Sequence, residues 1–332
     1  MKGIVLNRNL PEGIELNELD LPELTAGQAL VQIKAAALNH RDEWCRIGQY
    51  ANLRDGIVLG SDGAGVVVKV ADRTDDQWIG REVIINPALN WGSNQLAQGK
   101  DFEIIGMPRH GTLAEYIVVP VDRLHEKPDF MTFEEAAALP LAGVTAFRAL
   151  VFQGQVKAGE NVLITGIGGG VAQFAFQFAQ AMGSKVSVSS SKSEKLDFAK
   201  RNGAIFGFNY TDEAWIKYAV EATGGFDLII DGAAGDSLND LIQVAKPGGR
   251  IVFYGATQGN PNQLVARRIF WNQLKIMGST MGSDLDFSQM LEFVYSKKIK
   301  PVVDQVFDLK DALSAFERMK AGQQLGKIVI KP

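Results

Sequence analysis

Val162-Leu163-Ile164-Thr165 runs directly into Gly166-Ile167-Gly168-Gly169-Gly170-Val171-Ala172. An apolar stretch follows, in which the polar Gln173, Gln177 and Gln180 fall on one helical stripe. Apolar strand, glycine turn and buried helix form the context of a dinucleotide phosphate site. The glycines let backbone N–H groups approach a pyrophosphate, and the helix N-terminus adds partial positive charge. Gly166, Gly168, Gly169, Gly170 and Val171 are therefore expected to hold a cofactor. The surrounding run Asn161–Ser184 has no charged residue and the length of a membrane span, but it contains five glycines and three glutamines. A buried soluble βα unit accounts for it better.

Working outward, strand-like runs recur at 162–165, 186–189, 205–208, 228–231, 250–254 and 275–279. Helical segments fit between them, for example 196–201, 213–222 and 237–245. Six strands joined by helices are the inventory of a doubly wound α/β sheet. The first ~140 residues read differently. Short apolar runs at 29–33, 63–70, 82–85 and 114–119 are separated by Gly, Pro, Asn and Asp, which predicts a small barrel or sandwich. Residues 86–106, rich in Asn, Gly, Gln and Ser, read as a long loop or lobe. Near the end, Asp308 can cap a helix with the apolar face Ala312, Leu313, Phe316 and Met319, and Gly322 lies just past it. Residues 326–330 then read as a closing strand. The expected division is 1–142 with 281–332 as one domain and 143–280 as the other.

Composition excludes several classes. The chain of 332 residues has 34 basic and 38 acidic side chains, a net charge of −4. That balance offers no electrostatic case for nucleic acid or an anionic membrane as partner. The single cysteine, Cys45, excludes an intramolecular disulfide and any multi-cysteine metal cluster. It fits a reducing compartment, and with no secretory leader evident after Met1 a cytoplasmic location is expected.

Which dinucleotide is bound depends on the end of the second strand. An NAD site usually carries an Asp or Glu there, accepting from the ribose hydroxyls. Here the segment is Ser189-Ser190-Ser191-Lys192-Ser193, with Lys195 close behind and no carboxylate before Glu194. Hydroxyl donors and lysines at Ser190, Ser191, Lys192 and Lys195 suit the 2′-phosphate of NADP(H). Ser191 with Glu194 also reads as a helix capping box, which leaves Ser190 and Lys192 free for the phosphate.

The chain resembles the medium-chain dehydrogenase/reductase superfamily over essentially its full length. The likeness rests on Gly60-Ser61-Asp62-Gly63-Ala64-Gly65, on Ala137-Ala138-Leu139-Pro140 before Gly143-Val144-Thr145-Ala146, on Lys246-Pro247-Gly248-Gly249, and on terminal Gly326-Lys327-Ile328-Val329. It implies a β-rich GroES-like catalytic domain joined to a Rossmann cofactor domain. The turn Gly166-x-x-Gly169-x-x-Ala172 looks most like that of the zinc-free quinone oxidoreductase and enone reductase branch, with Ala172 where that branch usually has glycine. Zinc alcohol dehydrogenases are the rival within the superfamily. Their three catalytic ligands would fall at Asn39, Ser61 and about Leu141, none of which is a zinc ligand. The hydroxyl that relays their proton would fall at Arg41, and their four-cysteine lobe within 86–106, which lacks cysteine. His40 and Asp42, read as an extended segment, would point to opposite sides, so no metal site is expected.

Without a Lewis acid, hydride addition to a quinone or a conjugated carbonyl is the easier chemistry, needing positioning and donors near the developing oxyanion. Asn39 and Tyr50 are the candidate catalytic residues by resemblance, with a turn-capping amide and a packed aromatic as the plainer readings. A phenol of pKa ~10 can donate a hydrogen bond without releasing its proton. The resemblance also implies cofactor contacts from His40, Thr145 and Lys327. The plainer readings there are a solvated histidine, an ordinary helix position and an edge-strand lysine. Gly255, Ala256 and Thr257, after the fifth strand, and Gly278 and Ser279, after the sixth, would face the nicotinamide half. Arg267 and Arg268 read as a solvated face, and Trp44, Trp91 and Phe270 as cleft lining or core.

The expectation is an NADPH-dependent reductase of a quinone or an α,β-unsaturated carbonyl. Alternatives are an alcohol dehydrogenase and a non-catalytic NADPH-binding protein. The resemblance further implies a homodimer paired through the edge strand 275–279.

Overall fold

The computed structural model describes all residues from Met1 to Pro332. Two units emerge, Met1–Ala142 with Ser283–Pro332, and Gly143–Gly282. The second therefore interrupts the first.

In the second unit six strands pair in parallel. In chain order they are Asn161–Ile164, Lys185–Ser190, Gly207–Asn209, Phe226–Asp231, Ala245–Phe253 and Lys275–Gly278. Their order in space is third, second, first, fourth, fifth, sixth. Winding thus reverses beside the first strand, and the crevice outside its carboxyl end is where such sheets bind ligands. The central strands are apolar on both faces because helices cover both, and Leu163, Ile229 and Ile251 are fully buried. The fifth strand starts earlier than expected, taking in Lys246-Pro247-Gly248-Gly249, because Ala245 already pairs with Phe226 before the ladder shifts register. The third is short and begins at Gly207 rather than Ile205.

The first unit is built on a seven-stranded sheet whose centre is the antiparallel pair Gln28–Ala37 and Asp62–Val70. Two irregularities, at Leu30/Val31 and Ile33/Ala35, add twist to that ladder. Gly65 is required here: a Cβ on it would lie 2.1 Å from the Gln32 carbonyl oxygen. Val31, Ile33, Val67, Val83, Ile117 and Ile330 fill the core beneath. The last strand, Lys327–Lys331, lies between Val303–Asp308 and Gln28–Ala37, so it is not an edge strand. The preceding helix is Ala312–Lys320, with Asp308 opening only a short 3-10 turn before it. Residues 86–106 contain just the two-residue pairing of Ala88–Leu89 with Glu103–Ile104.

Register in this sheet positions the chemistry. Val329 pairs with Ala37, so two residues further Lys327 stands opposite Asn39; Ala37 also pairs with Asp62. Three strand ends therefore meet at one corner. At that corner Asn39 starts the helix His40–Arg46, and the Asp42 carboxylate accepts its backbone N–H at 2.8 Å. Arg46 ties the helix down, donating to both Glu43 oxygens and to Glu317.

Candidate active site

The corner in the first unit is a buried polar network. Lys327 Nζ donates to Leu38 O at 2.7 Å, Asn39 Oδ1 at 2.6 Å and Asp62 Oδ2 at 2.9 Å. An ammonium has three protons, and all three are used. Asn39 Oδ1 accepts, so its Nδ2 must donate. One N–H goes to Asp62 Oδ2 at 2.9 Å and the other has no partner within the network. The second Asp62 oxygen accepts from the Leu141 backbone N–H at 2.7 Å. Lys327 is thus not the exposed edge-strand lysine of the plainer reading. Its charge balances Asp62 and fixes the Asn39 amide.

Arg41 fills the adjoining space. Its guanidinium donates through Nη1 to Ser61 Oγ at 2.5 Å and Ile105 O at 2.8 Å, and through Nη2 to Met107 O at 3.3 Å. Nε reaches Tyr50 Oη at 3.4 Å, and the guanidinium carbon lies 4.9 Å from the centre of the Tyr50 ring. The nearest carboxylate oxygen is Asp42 Oδ1 at 4.0 Å, which is buried and has no hydrogen-bond partner. Burial pushes the Asp42 carboxyl up to about 6 against the opposing charge of Arg41. Burial, then the neighbouring Asp42, pushes the Cys45 thiol up to about 12, so it is no nucleophile near neutral pH. His40 follows Asn39 and shows an exposed side chain. Protein atoms packed around the ring, although part of its surface stays open, and then the Lys327 charge hold its pKa below the usual value. His40 and Asp42 lie on a helix, not an extended segment, but at two residues' separation they still diverge by about 200°.

The three places where zinc relatives keep ligands do converge, since Asn39 and Leu141 both bond to Asp62, the neighbour of Ser61. They do not fit zinc. An amide, a hydroxyl accepting from a guanidinium and an aliphatic side chain offer no thiolate, imidazole or carboxylate. No three His, Cys, Asp or Glu side chains are grouped so as to hold a metal. Two cationic groups, on Arg41 and Lys327, stand in that neighbourhood instead.

In the second unit the glycine turn fits a dinucleotide. Gly166 has φ +60°, and the helix Gly170–Ala181 starts from Gly169 with no side chain capping it. Lys195 is buried with its ammonium folded over the turn, so a Cβ on Gly168 would lie 2.5 Å from Nζ. Ile167 N–H bonds to Ser189 O at 3.1 Å, joining the turn to the end of the second strand. Ser190 Oγ accepts the Lys192 N–H at 3.1 Å. The following helix starts at Ser193 with Lys192 as its uncapped N-cap, so the capping box expected of Ser191 and Glu194 does not form. Ser191 is half-buried and Lys192 exposed. Gly255, Ala256 and Thr257 follow the fifth strand, with Thr257 Oγ1 donating to Gly232 O at 3.3 Å. Gly278 ends the sixth strand; Ser279 N–H bonds to Phe253 O, while its buried Oγ has no partner. That orphaned hydroxyl, like the bare turn, suits a polar ligand along the strand ends. Thr145 is buried in the helix Pro140–Phe147. Trp91 lines no cleft: it is buried against Phe102 at 5.2 Å, and its Nε1 donates to Asn94 O. Phe270 is exposed, and Trp44 half-buried.

Two family models match the chain: the alcohol dehydrogenase GroES-like domain over residues 25–129 and the zinc-binding dehydrogenase over residues 170–296. The zinc-type alcohol dehydrogenase-like protein YogA of Leptosphaeria maculans is 36% identical over 342 residues, 96% of this chain and 94% of that relative. The chain belongs to the medium-chain dehydrogenase/reductase superfamily. Its first unit is the GroES-like domain and its second the Rossmann-type domain, and the protein is an oxidoreductase of this superfamily. A solved NAD-dependent alcohol dehydrogenase superposes with a TM-score of 0.93 at 36% identity, covering 100% of both chains. A solved 2-octenoyl-CoA carboxylase reductase, CinF, in complex with NADP and 2-octenoyl-CoA, gives a TM-score of 0.87 at 26% identity, covering 99% of this chain and 87% of that one.

Sequence reasoning picked out Asn39 and Tyr50 but treated Arg41 only as a lost relay, and Asp62 only as part of a glycine-rich motif. Their roles follow from strand register and a folded side chain. The one available sign was a charged pair, Arg41 and Asp42, beside a predicted site.

Proposed function

We propose that this protein is a zinc-independent reductase that transfers hydride from NADPH to a quinone or an α,β-unsaturated carbonyl. One observation carries this reading: Asn39, Ser61 and Leu141 stand at the metal places, tied together by Asp62 and accompanied by Arg41 and Lys327. That set cannot ionise an alcohol as a Lewis acid does. It can stabilise negative charge on an acceptor's oxygen with hydrogen bonds from a buried, charge-supported site.

The bound dinucleotide would supply the hydride, losing two electrons as the acceptor gains a hydride and then a proton. The chain's own residues orient and stabilise. Asn39 offers its remaining N–H, its amide held the right way round by Lys327. Tyr50 offers its hydroxyl. Protonation comes from water. Thr145, Gly255, Ala256, Thr257, Gly278 and Ser279 are assigned to the nicotinamide end, and His40 with Gly166–Val171 to the pyrophosphate.

NADPH is preferred over NADH on the grounds of Ser190, Ser191, Lys192 and Lys195, with no carboxylate at the end of the second strand. CinF, which pairs NADP with an enoyl thioester, supports both halves of the reading. A homodimer through the open edge of Lys275–Gly278 is favoured by the nearby Phe270 and Trp271, 68% and 76% exposed. No helix is long and apolar enough to cross a membrane, and we assign the protein to the cytoplasm.

The test is NADPH oxidation against a quinone, an enone and an aldehyde in parallel, with chelator-treated enzyme. Turnover of the first two sustains the proposal. Zinc-dependent alcohol or aldehyde turnover would establish an alcohol dehydrogenase instead. Tight NADPH binding with no turnover at all would establish a non-catalytic binding protein.

A further inference from the structure

Arg41 is buried, with 6% of its side chain exposed, yet no carboxylate pairs with it at hydrogen-bond distance. Its first partners are neutral: a serine hydroxyl, two carbonyls and a phenol. A buried charge held only by neutral oxygens costs more to desolvate than a neutral side chain making similar bonds. Asp42 Oδ1, 4.0 Å away, offsets part of that charge without hydrogen bonding to it. Direction matters as well. Tyr50 Oη accepts from Arg41 Nε, so the phenolic proton has to point to a different acceptor. The half-buried Tyr50 is the member of the cluster that reaches toward solvent.

We propose that Arg41 is the positioning residue of the reduction, aiming the Tyr50 hydroxyl and supplying the fixed positive charge for the substrate oxyanion that zinc-dependent relatives obtain from their metal. This rests on the reductase reading above. When hydride adds to the β-carbon of an enone, the π electrons move onto the carbonyl oxygen. That oxygen accepts the Tyr50 hydrogen bond, and water later protonates the α-carbon. A hydrogen bond from a hydroxyl that is itself accepting from a cation is strengthened, and a preorganised donor of this kind is worth more than a mobile one.

The experiment uses the full chain with NADP⁺ bound and 4-nitrophenol as an oxyanion mimic, its ionisation read by absorbance. Alongside it, kcat and KM are measured for a quinone and an enone. Wild type should lower the apparent pKa of bound 4-nitrophenol by about one unit or more, as expected for an opposite charge nearby. Arg41→Gln should abolish that shift and cut kcat roughly 100-fold with KM little changed. Arg41→Lys, which keeps the charge, should retain part of both. Tyr50→Phe should lose the same shift, and adding Arg41→Gln to it should cost little more, because the two residues act in series. NADPH binding by each variant, read by fluorescence, checks that the chain is folded. If Arg41→Gln does not fold, the series relation is read from Arg41→Lys with Tyr50→Phe. An unchanged nitrophenol shift and kcat in Arg41→Gln, or additive losses with Tyr50→Phe, overturns the proposal. If wild type reduces no quinone or enone but still shifts nitrophenol through Arg41, the reductase reading fails and the oxyanion site stands.

Discussion

Replacing Lys327 by Met tests whether the corner of the GroES-like domain is organised as described. Lys327 and Asp62 are 4% and 0% exposed at their side chains, and Nζ lies 2.9 Å from Asp62 Oδ2. Removing one member of a buried ion pair leaves the other charge uncompensated, at a cost of about 3–5 kcal/mol. Asp62 would keep two N–H donors, from Asn39 and Leu141, so the loss should fall near ~3 kcal/mol, the lower end of that range. With a urea slope of ~3 kcal/mol/M, the unfolding midpoint should drop by about 1 M. The double variant Lys327→Met/Asp62→Asn should recover much of the loss, because no bare carboxylate remains. Urea titration of wild type, both single variants and the double variant measures all four corners of the cycle. A single-variant loss under ~1 kcal/mol, or strictly additive losses, would refute the buried pairing.

Asp42 gives a pH signature. Its folded pKa of about 6 lies above the unfolded value of ~3.9, so its contribution is fully present below pH ~4 and is lost as pH rises through 6. Asp42→Asn should therefore gain on wild type by up to about 3 kcal/mol between pH 4 and 7, and a pH-independent difference in unfolding free energy would contradict this. Lys192→Ala should raise KM for NADPH ~10-fold with little change for NADH; equal changes for both would remove Lys192 from the 2′-phosphate site. Gly65→Ala drives a methyl group into the Gln32 carbonyl and should cost at least ~2 kcal/mol, so an unaltered melting temperature would rule out the strand approach described.

The Rossmann half was legible because its signals are local. A glycine turn joins the first strand to its helix, and the apolar runs are short and regular. Boundaries shifted where pairing partners decide them, as at Ala245, whose bond to Phe226 extends the fifth strand through a Pro-Gly-Gly sequence that reads as a turn. The GroES-like half was legible as β-rich but not in its pairing. Nothing local says that residue 327 will stand opposite residue 39, and that register decides whether Lys327 meets solvent, cofactor or Asn39. Trp91 looked available to a ligand until Phe102 folded over it. The missing zinc ligands were readable from residue type alone. That cationic side chains stand there instead required the fold, since Arg41 reaches Ser61 across 20 positions and Ile105 across 64.

In the proposed reaction, hydrogen bonding and fixed charge do the work that a metal does in zinc-dependent relatives. The most direct measurement is steady-state NADPH oxidation by chelator-treated, metal-assayed enzyme with a quinone and an enone as acceptors. Sustained turnover with zinc far below one per chain, and no gain when zinc is added, is the expected result. Turnover that vanishes with the metal and returns with zinc would contradict it.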